Sequence, residues 1–284
     1  MEVASAPVLE FKNVNLRYGD IWALHNVNLT LAAGDSRIIF GAAGSGKTTL
    51  LKAAVGLVKV DSGEIRLWGQ EITSMKEREL FALRARTGFL FQEGGLFDSL
   101  TVRENVEYPL LNQYLQNGRP RANPEEIERR VREALRFVEL EHTLDKFPSE
   151  LSGGMRRRVG IARAIVAEPP LVLYDSPTAG LDPITANTIM ALILKERDTR
   201  NTTSLIVTQR YQDAQIMADY RYDKQRQELV KLRDEQERQQ RHAHTQFIVM
   251  REGEIIFLGT LEQLEASEDQ YIRRFIRHEG IHAQ

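Results

Sequence analysis

The chain has 284 residues, of which 42% are hydrophobic and 27% are charged, and its formal net charge is -2 at pH 7. A chain of this length can bury a sizeable core, and a net charge near zero gives no overall field that would favour nucleic acid as a partner. The absence of cysteine excludes a disulfide framework and thiolate metal sites.

The longest apolar runs have the length of strands. Leu171–Tyr174 and Phe247–Met250 fall far below the roughly 18 residues that a membrane span needs. The first ten residues lack the basic start and apolar run of a secretory signal. We therefore expect a cytoplasmic protein that reaches a membrane only through a partner.

The N-terminal part of the chain predicts strands and then a helix. Val8–Tyr18 and Ile21–Leu31 alternate apolar and polar residues around a Gly-Asp turn, which indicates an antiparallel β subdomain. Ser36–Phe40 has the pattern of a buried strand that leads into a glycine-rich loop, and Thr48–Val55 has the pattern of a helix.

Residues from about 93 to 167 are predicted to form a helical lobe. Asn123 fits a helix N-cap, with Pro124 at the first helical position and Glu126 as the acid of a capping box. The polar stretch Leu111–Ala122 before it is predicted to be a loop. The apolar residues that recur on one face of the helix are Ile127, Val131, Leu135 and Val138.

The sheet is predicted to resume after this lobe. Leu171–Asp175 and Ser204–Thr208 look like buried strands that end at polar residues, where parallel sheets place their ligands. We therefore expect an α/β fold with a mainly parallel core sheet, an N-terminal antiparallel β subdomain and an inserted helical lobe.

The rest of the chain contains a charged segment, a hairpin and a tail. The segment at about 221–244 is predicted to be a charged helical insertion, and Phe247–Met250 is predicted to pair with Glu254–Leu258. We expect one domain over residues 1–260 and a tail over residues 261–284 that contains a short amphipathic helix.

A glycine-rich loop connects the strand that ends at Phe40 to the following helix. Backbone N–H groups of such a loop face phosphates, its lysine reaches the β- and γ-phosphates, and its last hydroxyl can bind Mg²⁺. The loop therefore predicts a site for ATP with Mg²⁺, with Thr48 as a metal ligand. The residues that we assign to phosphate binding are Gly41, Ala42, Ala43, Gly44, Ser45, Gly46, Lys47, Thr48 and Thr49.

Asp175 ends the apolar strand Leu171–Asp175. An aspartate at a strand end is often only a turn cap. With a phosphate-binding loop upstream, we assign it instead to the carboxylate that holds Mg²⁺ through water.

The stretch Leu151–Met155 reads LSGGM and lies about twenty residues before that strand. With this motif the chain resembles the ABC ATPase family, a P-loop NTPase fold, and the resemblance covers nearly the whole chain. The other residues that carry it are Tyr18, the phosphate-binding loop, Gln92, Asp175 and the turn 179–182.

The resemblance implies roles for these residues. Tyr18 would stack on adenine, although an aromatic strand residue can instead pack on the core. Gln92, at the lobe junction, would contribute to the metal site and to catalysis, and Asp182 to nucleotide binding. The signature residues of one subunit would close on the ATP of a second, giving a homodimer; these residues are Ser152, Gly153 and Gly154.

Two positions depart from the family pattern. The residue after Asp175 is normally a glutamate that polarises the attacking water, and here it is Ser176. The residue after the next strand is normally a histidine that contacts the γ-phosphate, and here it is Gln209. Either another group places the water in the assembled transporter, or ATP acts mainly as a dimerising ligand. We expect full ATP binding with weak or conditional hydrolysis.

Within the family the chain looks like the ATPase of maintenance-of-lipid-asymmetry (Mla) transporters. The features that carry this likeness are Met155, the run from Leu96-Phe97 through Tyr108-Pro109-Leu110, and Leu181–Thr185. That likeness implies a phospholipid cargo, a lipid-binding partner protein and a position on the cytoplasmic face of the inner membrane. The surface Gln92–Val106 would receive an integral membrane permease, with Leu96 and Phe97 as exposed anchors unless Phe97 packs in the core.

Several alternatives stay open. Arg156–Arg158 is expected to form a solvated or interface face of its helix rather than a nucleic-acid patch. In the tail, Tyr271, Ile272 and Phe275 either clasp a second subunit or dock on their own domain. A soluble ABC protein of DNA repair or translation, or an ATP-dependent scaffold with little hydrolysis, would share the nucleotide motifs.

Overall fold

The computed structural model describes residues 7–112, 123–233 and 235–277. The rest of the predicted domain, loop residues 113–122 and tail residues 278–284 lie outside the described residues. The predicted loop begins too early, because Leu111 and Asn112 are the last residues of the helix Val102–Asn112. The strands described are β1 (Leu9–Tyr18), β2 (Ile21–Leu31), β3 (Ser36–Phe40), β4 (Ser62–Leu67), β5 (Gln70–Glu71), β6 (Thr87–Leu90), β7 (Leu171–Asp175), β8 (Thr203–Val207), β9 (Tyr220–Asp223), β10 (Glu228–Lys231), β11 (Thr245–Arg251) and β12 (Glu254–Gly259). The helices described are α1 (Lys47–Ala54), α2 (Glu77–Arg84), α3 (Val102–Asn112), α4 (Pro124–Phe137), α5 (Gly153–Ile165), α6 (Pro183–Arg200), α7 (Tyr211–Asp219), α8 (Glu235–His244), α9 (Leu261–Glu265) and α10 (Gln270–Arg277).

The N-terminal sheet is antiparallel and has the strand order β2-β1-β4-β5. Strands β1 and β2 pair from Leu9 opposite Leu31 to Tyr18 opposite Ile21. The turn between them holds Gly19 at a positive φ of 61°, which glycine adopts without strain. The sheet packs its buried residues with α1 on one side of the core sheet.

The core sheet has the order β12-β11-β3-β8-β7-β6, and the strands from β11 to β6 pair in parallel. Strands β3, β7 and β8 are buried along their whole length because both faces are covered. Successive side chains point to opposite faces. Ile38 and Phe40 therefore pack towards the helical lobe, whereas Ile39 packs towards the N-terminal sheet. The predicted fold class is confirmed.

The helices α3, α4 and α5 fall in the segment that was predicted to be a helical lobe. The Asn123 side chain accepts a hydrogen bond of 2.7 Å from the Glu126 backbone N–H, and Pro124 is the first residue of α4. These contacts satisfy backbone groups that a helix start leaves free. None of the helices described is long and apolar enough to cross a membrane.

The predicted charged helix at about 221–244 is wrong over its first half. Strands β9 and β10 form an antiparallel hairpin there, and only Glu235–His244 is helical. The hairpin and α8 meet α6 at Asp198, which accepts hydrogen bonds from Arg241 (2.7 Å) and from the Tyr222 backbone N–H (2.8 Å). Burial alone would raise the pKa of Asp198, but the Arg197 and Arg241 guanidinium groups outweigh it and hold the pKa below its usual value.

The described part of the tail docks on its own chain, which is one of the two alternatives that the sequence left open. Ile272 is buried, and the Phe275 ring stacks on Phe40 with 6.3 Å between ring centroids. Because Phe40 is the last residue of β3, α10 lies beside the start of the phosphate-binding loop.

Replacing Asp198 tests whether this carboxylate holds the hairpin and α8 on the core. Asp198→Ala leaves Arg197 buried without its ion-pair partner, so the free energy of unfolding should fall by about 3 kcal/mol. Urea unfolding followed by circular dichroism measures this change. Glu133→Ala, which breaks the exposed ion pair with Arg129, is the control and should have a much smaller effect. Equal effects of the two substitutions would contradict the assignment.

Candidate nucleotide-binding site

The phosphate-binding loop lies between the end of β3 and α1. Gly46 is the N-cap residue before α1 and has a φ of 100°. A Cβ at this position would lie 2.1 Å from the Ala23 carbonyl oxygen. Only glycine fits so close to another backbone. The loop is therefore shaped by its contact with the N-terminal sheet, and its residues Ala42 to Gly44 are exposed.

The Lys47 side chain is folded back against the loop and is only 7% exposed. Its ammonium group donates hydrogen bonds to the carbonyl oxygens of Gly41 (2.8 Å) and Ala42 (2.6 Å) and to Ser45 Oγ (3.1 Å). Burial lowers the Lys47 pKa to about 8, against the opposing charge of Asp175. The loop thus holds a cation whose charged form is disfavoured until an anion arrives.

Asp175 and Thr48 meet although they are 127 residues apart, because β7 and β3 end at the same edge of the sheet. The Thr48 hydroxyl donates a hydrogen bond of 3.2 Å to Asp175 Oδ1. Asp175 is 3% exposed, and burial raises its pKa despite the hydrogen bonds from Thr48 and Ser176. A hydroxyl and a carboxylate placed together offer the hard oxygen ligands that Mg²⁺ prefers.

Ser176 follows Asp175 in a left-handed conformation with a φ of 53°. Its N–H donates to the Val207 carbonyl oxygen (3.0 Å), and its own carbonyl oxygen accepts from Arg157 (2.8 Å). Arg157 also donates to the Ala179 carbonyl oxygen (3.0 Å). The Ser176 hydroxyl lies 3.3 Å from Asp175 Oδ1 and is half-buried.

Arg157 corrects the expectation that Arg156–Arg158 is a solvated or interface face. It is 5% exposed and binds the turn after β7 from helix α5. Sequence reasoning missed this residue because three consecutive arginines look like a surface patch.

Asp213 is a second residue that the motifs did not reveal. This buried carboxylate of α7 accepts hydrogen bonds from Thr178 Oγ1 (2.5 Å), in the loop after β7, and from Thr208 Oγ1 (2.6 Å), after β8. Burial raises its pKa in spite of these bonds. Gln209, the next residue after Thr208, is exposed. Asp213 therefore ties together the loops that carry Ser176 and Gln209.

The signature residues lie at the N-terminus of α5. Ser152 is the N-cap, and its hydroxyl accepts a hydrogen bond of 3.2 Å from the Met155 backbone N–H. Ser152 and Gly153 are exposed, and Gly154 is half-buried. Within the described part of the chain, no hydrogen bond links these three residues to the phosphate-binding loop. The exposed N–H groups of a helix start suit an anion supplied from outside the chain.

Tyr18 and Asp182 are also exposed. Tyr18 ends β1 with 54% of its surface accessible, so the alternative that it packs in the core is wrong. A cleft of about 380 Å³, lined by Ile21, Trp22 and Gly44 among others, opens beside this strand end. Asp182 caps α6 by accepting hydrogen bonds from Thr185, and the side-chain hydrogen bond from Thr185 lowers the Asp182 pKa.

Gln92 begins a 3-10 turn after β6 and is exposed. Downstream of it, Phe97 is 42% exposed, which rules out core packing. The expectation that Leu96 is an exposed anchor is wrong, because its side chain is half-buried against the core. The Phe97 and Tyr108 rings lie 4.8 Å apart and line an apolar cleft of about 360 Å³ with Phe91. The structure thus leaves an aromatic surface open beside Gln92.

The three carboxyl-terminal strand ends of β3, β7 and β8 thus bring together the phosphate-binding loop, Asp175, Ser176 and Gln209. In the described residues, no group of three or more His, Cys, Asp or Glu side chains is arranged to hold a metal ion by itself. A Mg²⁺ ion at Thr48 and Asp175 would thus complete its ligand shell with water and phosphate oxygens.

Comparisons with known proteins agree with this geometry. The profile of the ABC transporter family matches residues 24–179. The chain is 34% identical to the intermembrane phospholipid transport system ATP-binding protein MlaF of Haemophilus influenzae, over 96% of this chain and 91% of that protein. It is 38% identical to the methionine import ATP-binding protein MetN of Brucella abortus, over 76% of this chain but 56% of MetN.

Solved structures show the same fold. The dimeric ATP-binding cassette MJ0796, bound to ADP and phosphate, superposes with a TM-score of 0.73 at 31% identity and covers 89% of this chain and 98% of its own. The protein cbiO1 of Clostridium perfringens, part of the transporter complex cbiONQ, gives a TM-score of 0.70 at 28% identity and covers 96% of both chains. With a family profile over more than half its length, this chain belongs to the ABC transporter family as an ATP-binding subunit.

Proposed function

We propose that the chain binds MgATP in a head-to-tail homodimer and drives a separate membrane permease that transports phospholipid. The observation that carries the proposal is the meeting of Lys47, Thr48 and Asp175 at one edge of the core sheet. A phosphate-cradling loop, a buried cation and a carboxylate for Mg²⁺ are the parts that nucleoside triphosphate binding needs.

We assign roles within the site from the family resemblance, supported by the geometry around Lys47. Residues Gly41 to Thr49 bind the phosphates, Tyr18 stacks on adenine beside the cleft, and Thr48, Asp175 and Gln92 hold Mg²⁺. Bound Mg²⁺ supplies positive charge that stabilises the phosphate oxygens. Lys47 has three donors, so it exchanges its bonds to the Ala42 carbonyl and Ser45 Oγ for the β- and γ-phosphates and keeps the Gly41 carbonyl as its third partner. The phosphates favour its charged form.

The second half of the site comes from another copy. Ser152, Gly153 and Gly154 present a helix N-terminus to solvent, away from hydrogen bonding with their own phosphate-binding loop in the described residues. Such a helix start, facing the γ-phosphate bound by a partner, would join two protomers through ATP. The dimeric relative MJ0796 supports this arrangement.

Hydrolysis is proposed to be weak or conditional. ATPase activity is a property of the family, and its catalytic positions are here Ser176, Gln209 and Gln92. The Ser176 side chain is shorter than that of glutamate, and its hydroxyl is too weak a base to replace a carboxylate. The Gln209 side chain carries no positive charge. A positioned general base typically contributes ~10²–10⁴-fold, so its loss leaves mainly electrostatic catalysis by the phosphate loop and Mg²⁺.

Phospholipid is favoured as cargo over methionine because MlaF is matched along nearly all of its length, whereas only about half of MetN is. A lipid-binding partner protein and a location on the cytoplasmic face of the inner membrane belong to the same proposal. The aromatic surface of Phe91, Phe97 and Tyr108 is the proposed docking site for the permease, because exposed clustered aromatic rings are typical of interfaces.

ATP binding is expected to take up a proton at pH 8.5. The Lys47 pKa is about 8 before binding, and the phosphate oxygens raise it. At pH 8.5 the molecules in which Lys47 is neutral therefore take up a proton as ATP binds. Calorimetric titration in buffers of different ionisation heat should show between about a half and one proton taken up per ATP at pH 8.5, and far less at pH 7. Affinity should therefore fall as pH rises above 8.

The control for this experiment is Lys47→Arg, since an arginine is charged at both pH values. It should abolish the difference in proton uptake between pH 7 and pH 8.5. Uptake that persists in Lys47→Arg would show that a different group titrates.

Restoring the usual residues should accelerate turnover. The double substitution Ser176→Glu with Gln209→His adds a general base and an imidazole that can contact the γ-phosphate, so phosphate release from the intact transporter should rise several-fold. Ser176→Gln, which has the same length as glutamate but no charge, is the control and should not accelerate release. An unchanged rate at unchanged ATP affinity would refute this account of the two positions.

The transport function is tested with the permease. The chain should co-purify with an integral membrane protein, and the complex in vesicles should hydrolyse ATP faster with phospholipid present and move lipid between membranes. Stimulation of ATP hydrolysis by methionine, and not by phospholipid, would contradict the assignment of phospholipid as the cargo. Phe97→Asp should abolish co-purification, whereas Phe81→Asp, at another exposed aromatic residue on α2, should not.

A further inference from the structure

Helix α10 reaches the phosphate-binding loop through one side chain. The Tyr271 hydroxyl accepts a hydrogen bond of 3.0 Å from the Ala42 backbone N–H and donates one of 3.1 Å to the Met250 carbonyl oxygen. Ala42 and Tyr271 are 229 residues apart in the sequence. The hydroxyl thus bridges the loop and strand β11.

The position of this hydroxyl is fixed by its surroundings. Asp269 Oδ1 accepts a hydrogen bond of 2.6 Å from the Tyr271 backbone N–H, at the start of α10. The Tyr271 ring meets Phe275 edge-on at 5.2 Å, and the Arg251 guanidinium lies 5.6 Å from the ring centre. Because Phe275 stacks in turn on Phe40, the helix is packed against the strand that feeds the loop.

The peptide group that Tyr271 binds also carries one of the three acceptors of the Lys47 ammonium group. The Gly41 carbonyl and the Ala42 N–H are two ends of a single planar peptide unit. Lys47 Nζ donates to its oxygen at 2.8 Å, while Tyr271 accepts from its N–H at 3.0 Å. A continuous chain of hydrogen bonds therefore runs from the Lys47 ammonium through this peptide to Tyr271 and on to Met250, and its members polarise one another.

We propose that Tyr271 is a positioning residue of the ATP site, through which the C-terminal helix orients the Gly41–Ala42 peptide and, with it, Lys47. Rotation of that peptide would swing the Gly41 carbonyl away from the ammonium group. The hydroxyl prevents the rotation by holding the opposite end of the peptide. The inference rests on the proposed binding of MgATP by this loop, and it assigns to the tail a role within its own subunit.

Removal of the hydroxyl should weaken ATP binding. Tyr271→Phe keeps the ring and its packing on Phe275 but loses both hydrogen bonds, so the Kd for MgATP, measured by calorimetry on the full chain at pH 7, should rise about threefold to tenfold. The midpoint of thermal unfolding should stay close to that of the unsubstituted chain. Tyr222→Phe, which removes a hydroxyl on the β9–β10 hairpin, is the matched control and should leave the Kd unchanged.

A double-substitution cycle separates positioning from general structural support. In a Lys47→Met background the affinity is lower, and adding Tyr271→Phe should change it by less than about twofold, because the residue through which Tyr271 acts is gone. An equal loss of affinity in both backgrounds would overturn the proposal. Tighter ATP binding in Tyr271→Phe would also overturn it, because it would mean that the hydroxyl holds the loop in a conformation that binds ATP less well.

The same experiment separates this inference from the proposed function. A chain that does not bind MgATP at all would refute both. If MgATP binds and Lys47→Met weakens binding, while Tyr271→Phe leaves the Kd unchanged, only the role of Tyr271 is refuted.

Discussion

The parallel pairing of β3, β8 and β7 is the constraint on which the site depends. Ile39 pairs with Val207, and Val207 pairs with Asp175, so three loops from distant parts of the chain leave the sheet side by side. Burial on both faces leaves these strands little freedom to shift in register, since a shift by one residue would exchange the two apolar faces. Asp213 then ties two of the loops together at their threonines. The geometry around the nucleotide is thus set by the core rather than by the loops themselves.

The charged groups of the site, Lys47 and Asp175, are only partly stabilised in the protein without a ligand. Burial lowers the pKa of Lys47 and raises that of Asp175, so each group is held in surroundings that disfavour its charged form. Hydrogen bonds to two loop carbonyls partly replace the water that the Lys47 ammonium group loses on burial, but these carbonyls are neutral dipoles. Phosphate oxygens would place full negative charge beside Lys47, and a divalent cation would place positive charge beside Asp175. Binding would therefore stabilise the charged forms of two groups that burial disfavours in the protein alone.

The sequence predicted those parts of the fold and site that are encoded by local patterns. The phosphate-binding loop, the strand that ends at Asp175 and the capped helix at Asn123 each depend on a few neighbouring residues, and the structure has them. Arg157, the β9–β10 hairpin and Tyr271 depend instead on distant partners. Three arginines in a row gave no sign that the middle one binds the Ser176 carbonyl. The high charge of the segment masked a hairpin that contacts Asp198 through the Tyr222 backbone N–H. The amphipathic pattern of α10 predicted an apolar face but not the peptide group that its tyrosine meets.

The backbone at Ser176 shows why the missing glutamate leaves the fold unaffected. Its left-handed φ of 53° is costly for a residue other than glycine, and it is held by the Val207 carbonyl and by Arg157, both of which bind main-chain atoms. Neither contact involves the Ser176 side chain, so a glutamate at this position would leave the same backbone and project from the same point. The fold therefore accommodates at this position either the serine of this chain or the glutamate that the family pattern would place there. The roles proposed for the chain in ATP binding, dimerisation and permease coupling use other atoms, so the proposal is consistent with intact binding and slow hydrolysis.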